Sequence, residues 1–161
     1  MSQTREHQQL LSILDQAYDH KSWHGTNLRG SIHRVSHQQA AWRPAPKRHN
    51  IWEVVVHAAY WKYAVWRRLT GKPRGSFPFK GSNWFPRPQD ASKSAWRADI
   101  ALLDQMHLAL RTAAANLPAR ELSRVPKGSS VSNVALLSGV AAHDLYHAGQ
   151  IQLLKRLSSR R

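Results

Sequence analysis

His143 and His147 stand four residues apart in "SGVAAHDLYHAGQIQLLKRL", Ser138 to Leu157, a stretch otherwise dominated by apolar side chains. Four residues make just over one helical turn, so a helix through this segment puts both imidazoles on one face. Three chemistries fit such a pair: a metal site, a peptidase centre, or two core histidines bonded to their surroundings. The run also matches the H-E-x-x-H pattern of zinc peptidases, with Asp144 in the place of the glutamate. A zincin takes its third ligand downstream, and the 14 residues after His147 include no histidine, aspartate or glutamate. Asp144 also reaches one methylene less far than glutamate. On both grounds the peptidase reading is set aside.

A third ligand is available elsewhere. In "NIWEVVVHAAYWKYAVWRRLTG" the positions Val54, His57, Trp61 and Val65 recur at spacings of three and four, which places His57 on an inward helix face. Inward imidazoles are costly unless their nitrogens find partners. One divalent ion satisfies three of them at once and keeps a coordination position for water or substrate, as catalytic sites do. His57, His143 and His147 are therefore the expected metal ligands. Two further groups are candidates for catalytic or supporting work. His107 shares a core face with Trp96, Ile100, Leu103, Leu110 and Ala114, and is expected near the level of His57. Asp144 lies about 100° around the helix from His143, as a supporting group, a water-facing base or an exposed charge. His7, His20, His24, His33, His37 and His49 are read as surface or turn residues.

Four long helices must position these groups. The first runs from Thr4 to about Tyr18, with Leu10, Leu11, Leu14 and Ala17 at helical spacing. A short helical piece follows, ended by Pro44 and Pro46. The second long helix starts from an Asn50 cap with Glu53 three residues on, and stops at Gly71. Residues 71–91, "GKPRGSFPFKGSNWFPRPQDA", hold three glycines and four prolines, which exclude a regular element, yet Phe77, Phe79, Trp84 and Phe85 predict a loop packed over the body as a lid. The third helix spans about Ser92 to Asn116. The fourth begins near Ser132 and presents Leu136, Val140, His143, His147, Ile151 and Leu154 inward. The expected fold is all-α: one domain over residues 1–161, an antiparallel four-helix bundle with a long aromatic loop between helices two and three. Helices two and four run parallel in that up-down order, which brings His57 level with the other two histidines.

Composition narrows the function classes. The 161 residues include no cysteine, which excludes disulfides, thiolate zinc sites and a cysteine nucleophile. The N-terminal segment lacks the order of a signal peptide and no segment approaches the length of a membrane span, so the expectation is a cytoplasmic protein without a membrane partner. Lys and Arg outnumber Asp and Glu 24 to 9, a net charge of +15 spread from Arg29 to Arg160 and Arg161. Such a field favours anionic partners in general and predicts weak, nonspecific, salt-sensitive nucleic-acid binding. Seven tryptophans offer more apolar surface than one small core needs, which points to a homodimer.

"HNIWEVVVHAAYWKYAVWRRLTG", the aromatic stretch ending in "NWFP", the helix led by Trp96 and "HDLYHAGQIQLLKRL" together resemble the DinB/YfiT-like metalloenzyme superfamily of four-helix bundles. They cover most of the chain in order. The resemblance implies one metal ligand in the second helix and two, four apart, in the fourth, matching His57, His143 and His147. It implies metal-binding dimers and, in some branches, transfer or isomerisation reactions of low-molecular-weight thiols. The leading expectation is thus a divalent-metal-dependent thiol S-transferase, taking a small thiol and an electrophile. One ion per chain is expected, Zn²⁺ or Ni²⁺ before Fe²⁺ or Mn²⁺. The alternatives are a hydrolase using metal-bound hydroxide with Asp144 as base, and a stress-associated or nucleic-acid-binding protein with a structural metal.

Overall fold

The computed structural model describes residues 4–159; Arg160 and Arg161 of the basic tail lie outside them. Six α-helices follow one another in this span: α1 (Arg5–Tyr18), α2 (Leu28–Ser31), α3 (His37–Ala41), α4 (Ile51–Thr70), α5 (Lys93–Asn116) and α6 (Asn133–Ser158), with a 3₁₀ turn at Ala119–Glu121. No strand occurs among the described residues. The four long helices start where short polar side chains can hold a free amide. Thr4, Asn50, Ser92 and Ser132 each accept a hydrogen bond from the backbone N–H three residues on. α4 ends where Gly71 adopts φ +69°, a left-handed turn that costs glycine little.

The fold is a helix bundle, but its helices do not simply alternate in direction. Trp52 meets Asp99 and Lys62 meets His107, so α4 and α5 ascend together. His7 meets the Ala114 carbonyl, Asp15 meets Arg111 and Tyr18 meets Asp104, so α1 runs against α5. The α4 N-terminal half shares a core cluster with Ile151 and Leu154 of α6, whereas Val65 shares one with Leu136 and Val140. α4 and α6 are therefore antiparallel. This corrects the expected up-down order, and its cause is the connection at residues 71–92, which returns along the bundle instead of making a hairpin. The short helices α2 and α3 also shift the count: the connection joins the fourth and fifth helices in chain order.

The aromatic cluster is not confined to that connection. Tyr60 and Tyr63 of α4 meet Phe77, and Tyr60 also meets Phe85, while Trp52 packs on Trp96 of α5. Phe85 is buried and Phe77, Phe79 and Trp84 pack against the same core. The loop is tied at both ends. Tyr63 Oη accepts from the Gly75 and Ser76 amides at 3.1 and 3.3 Å, and Arg87 Nε donates to Asp99 at 2.7 Å. No described helix is long and apolar enough to cross a membrane.

Candidate metal centre

α4 and α6 bring three imidazoles together. His57 Nε2 lies 3.2 Å from His143 Nε2, which lies 3.0 Å from His147 Nε2. Ligating atoms of all three fall within 4.8 Å of one another. Their meeting survives the reversal of α6 because His143 and His147 sit near the middle of that helix, where inversion hardly changes height.

The outer nitrogens explain the convergence. His57 Nδ1 donates to the Asn83 carbonyl at 2.7 Å, and His147 Nδ1 donates to Gln150 Oε1 at 2.7 Å. With those protons committed, both Nε2 atoms are left as bare acceptors facing His143. The Asn83 contact makes the loop part of the centre, and Trp84 adds to it by stacking between His57 and His49 at 3.8 and 3.7 Å. His143 is half-buried and its Nδ1 has no partner among the described residues.

Burial keeps the three rings neutral. It lowers His57 to about 4 and His143 to about 3, helped in each by a neighbouring histidine, and it also lowers His147. Neutral imidazoles are the metal-binding form. Ligands 2.0–2.1 Å from a tetrahedral ion lie about 3.3 Å apart, close to the 3.2 and 3.0 Å that separate His143 from its two neighbours, so the donor set fits a divalent cation.

The other candidates lie elsewhere. Asp144 is 1% exposed and accepts from Lys62 Nζ, itself 0% exposed. It is neither water-facing nor a surface charge: the core face of α6 is Leu137, Ala141, Asp144, Ala148 and Ile151, and the histidines flank it. His107 sits beside Lys62, at 3.3 Å, and stacks on Tyr18 at 3.7 Å, rather than at the level of His57, because α5 ascends with α4. Burial, then Lys62, lowers it to about 3. His7 is buried and donates to the Ala114 carbonyl at 2.6 Å, not a surface residue as expected. Sequence reasoning missed Lys62, although it stands four residues after Ala58 and seven after Val55 on the buried face of α4. It also missed Asp99, which occupies the core position assigned to Ile100 and accepts from Trp52 Nε1 at 2.6 Å.

Two cavities lie at different distances from this region. A shallow apolar groove of about 650 Å³ between the ends of α4 and α5 is remote from the histidines. A second, of about 470 Å³, shares Trp61 with them: that ring is 6.3 Å from His57 and 6.2 Å from His143.

Residues 21–151 match the family model of the DinB superfamily, most of the chain, and the chain belongs to that superfamily. Comparison with curated proteins and with solved structures finds no match.

Proposed function

For this member of the DinB superfamily we propose a metal-dependent enzyme in which His57, His143 and His147 hold one divalent ion and a low-molecular-weight thiol is transferred to an electrophile. The observation that carries the metal reading is the convergence of three Nε2 atoms, two of them with the opposite ring nitrogen already bonded. A bound ion with an open position lowers the pKa of a thiol there. The chain's own part is to hold the imidazoles neutral and oriented, and to limit water through the Asn83–Trp84 lid. Three imidazoles suit Zn²⁺ or Ni²⁺, with Fe²⁺ or Mn²⁺ next. Asp144, held in the core by Lys62, is poorly placed as the base a hydrolase needs, which favours the thiol reading.

The working unit is proposed to be a homodimer formed through α6. Gly139, Ala142, Tyr146, Gly149, Leu153 and Leu157 form an exposed, uncharged stripe there. In a chain of net charge +15, such a stripe is where a second copy meets least repulsion.

Elemental analysis of the purified chain should find about one divalent ion, lost in alanine variants of His57, His143 and His147. The loaded protein should conjugate a small thiol to an electrophile, and the metal-free form should not. Full metal retention by all three variants would refute the centre; metal-dependent ester hydrolysis without a thiol requirement would replace transferase by hydrolase.

A further inference from the structure

The 470 Å³ cavity beside the histidines has a composition that the metal centre does not explain. One wall is aromatic, from Tyr60, Trp61 and Phe77. The same lining carries Arg67 and Arg68 from the last turn of α4, with Arg74 and Lys80 brought over by the loop. The helix dipole accounts for two of these cations at a C-terminus but not for the two that the loop adds. Among the described residues none of the four has a carboxylate partner, although Arg29, Arg43, Arg87 and Arg111 all do. Arg68 Nε is buried without a hydrogen-bond partner, and Arg67 and Arg74 both press on it as like charges. The loop is nonetheless held in place here, since Tyr63 Oη accepts from the Gly75 and Ser76 amides. The buried, unpaired Arg68 Nε among three further cations without a carboxylate is the observation that points to an anion.

We propose that this cavity binds a small organic polyanion, with two or more carboxylate or phosphate groups on Arg67, Arg68, Arg74 and Lys80 and its flat or apolar part against Trp61 and Tyr60. The volume lies in the range of small-molecule sites. A duplex presents its phosphates on a convex backbone, which a recess of this kind does not admit. Trp61 lines the cavity and lies 6.3 Å from His57 and 6.2 Å from His143, so the apolar part of the cavity is the part next to the metal centre. That the polyanion is the charged part of the thiol substrate rests on the transferase reading; the anion site itself is tested without turnover.

Titration calorimetry of the full chain at about 0.15 M salt, where distant surface charge is screened, would use benzene-1,3,5-tricarboxylate and resorcinol bisphosphate as probes against benzoate. One multivalent probe per chain is expected, at least about tenfold tighter than benzoate, and the tighter of the two identifies carboxylate or phosphate as the source. R68Q should weaken it about tenfold or more, as should R74Q, whose exposed position leaves folding undisturbed. The K47Q/R48Q double variant removes two charges, one more than either single variant, at the other end of α4, roughly 30 Å along the helix from Arg68, and should change affinity less than about threefold. Equal affinity in wild type and R74Q, equal loss in K47Q/R48Q, or displacement of the probes by duplex DNA at the same salt would each overturn the proposal. Inactivity toward thiols leaves the anion site standing, and absence of probe binding leaves the metal centre standing.

Discussion

The three histidines and the Lys62–Asp144 pair lie on the same two helices, within a few residues of each other, and they meet the cost of burial in opposite ways. Lys62 Nζ and Asp144 Oδ2 form a buried ion pair, with His107 and the Tyr18 ring, 4.7 Å from Nζ, on other sides of the ammonium, while Asp144 Oδ1 has no partner among the described residues. The histidines are neutral, and their inner nitrogens converge so that a proton on His143 Nε2 serves them in the metal-free chain and one divalent cation takes its place on binding. The pair finds its counter-charge within the chain; the inner nitrogens of the triad are left open to a cation. The difference separates what holds α4 against α6 from what those helices present to a ligand.

The largest expected effect comes from breaking the closed pair. Lys62→Met leaves Asp144 buried without its counter-charge and should cost about 3–5 kcal/mol of folding stability near neutral pH. The K62M/D144L double variant removes both charges and should recover most of it. Burial already pushes the Asp144 carboxyl up, against the pull of Lys62, so in K62M it rises further. A carboxyl raised in the folded state favours folding at low pH and loses that contribution as pH climbs through its folded value. The K62M deficit should therefore shrink on acidification. Urea melts at neutral and mildly acidic pH measure both, and a double variant as unstable as K62M would show that the pair is not closed.

These two regions were not equally legible from the sequence. The triad could be read because its signal is local: two histidines one turn apart, and a third on an apolar face of three-and-four spacing. The helix ends were legible for the same reason, since Asn50, Ser92 and Ser132 cap within three residues of themselves. Lys62 and Asp144 hide because a charge is accepted on a core face only through a partner on another helix, which no local pattern announces. The direction of α5 was hidden too. Residues 71–92 announce a loop, but their glycines and prolines do not say whether it makes a hairpin or returns along the bundle. That one choice moved His107 from the level of His57 to that of Lys62.

A milder perturbation sharpens the other side of the comparison. Gln150 accepts from His147 Nδ1 and thereby fixes which nitrogen faces the centre, while contributing little to the core. Gln150→Ala should weaken metal binding about 10–100-fold and change the stability of the metal-free chain by no more than about 0.5 kcal/mol. Competition with a chromogenic chelator reads the first and thermal melting the second. Unchanged affinity would mean that the ring is oriented by packing alone.

The last difference is the pH dependence of the metal-free chain, whose sign distinguishes open triad from closed pair. His57 titrates at about 4 and His143 and His107 at about 3 in the fold, against about 6.5 when unfolded. Between those values the unfolded chain binds protons that the folded chain does not, so folding stability falls as pH drops. The contribution is fully present above about pH 6.5, declines as pH falls toward the folded values of 4 to 3, and levels off below them. Solvent around the half-buried His143 screens part of its share. Replacing His143 by glutamine, which does not titrate, should make the slope in the metal-free chain shallower, leaving the shares of His57 and His107, while the K62M deficit keeps its opposite sign. A metal-free wild type whose stability stays constant from pH 7 to 4 would show that the imidazoles are solvated in the fold, and the triad would then lack the burial that makes its nitrogens ready for a metal.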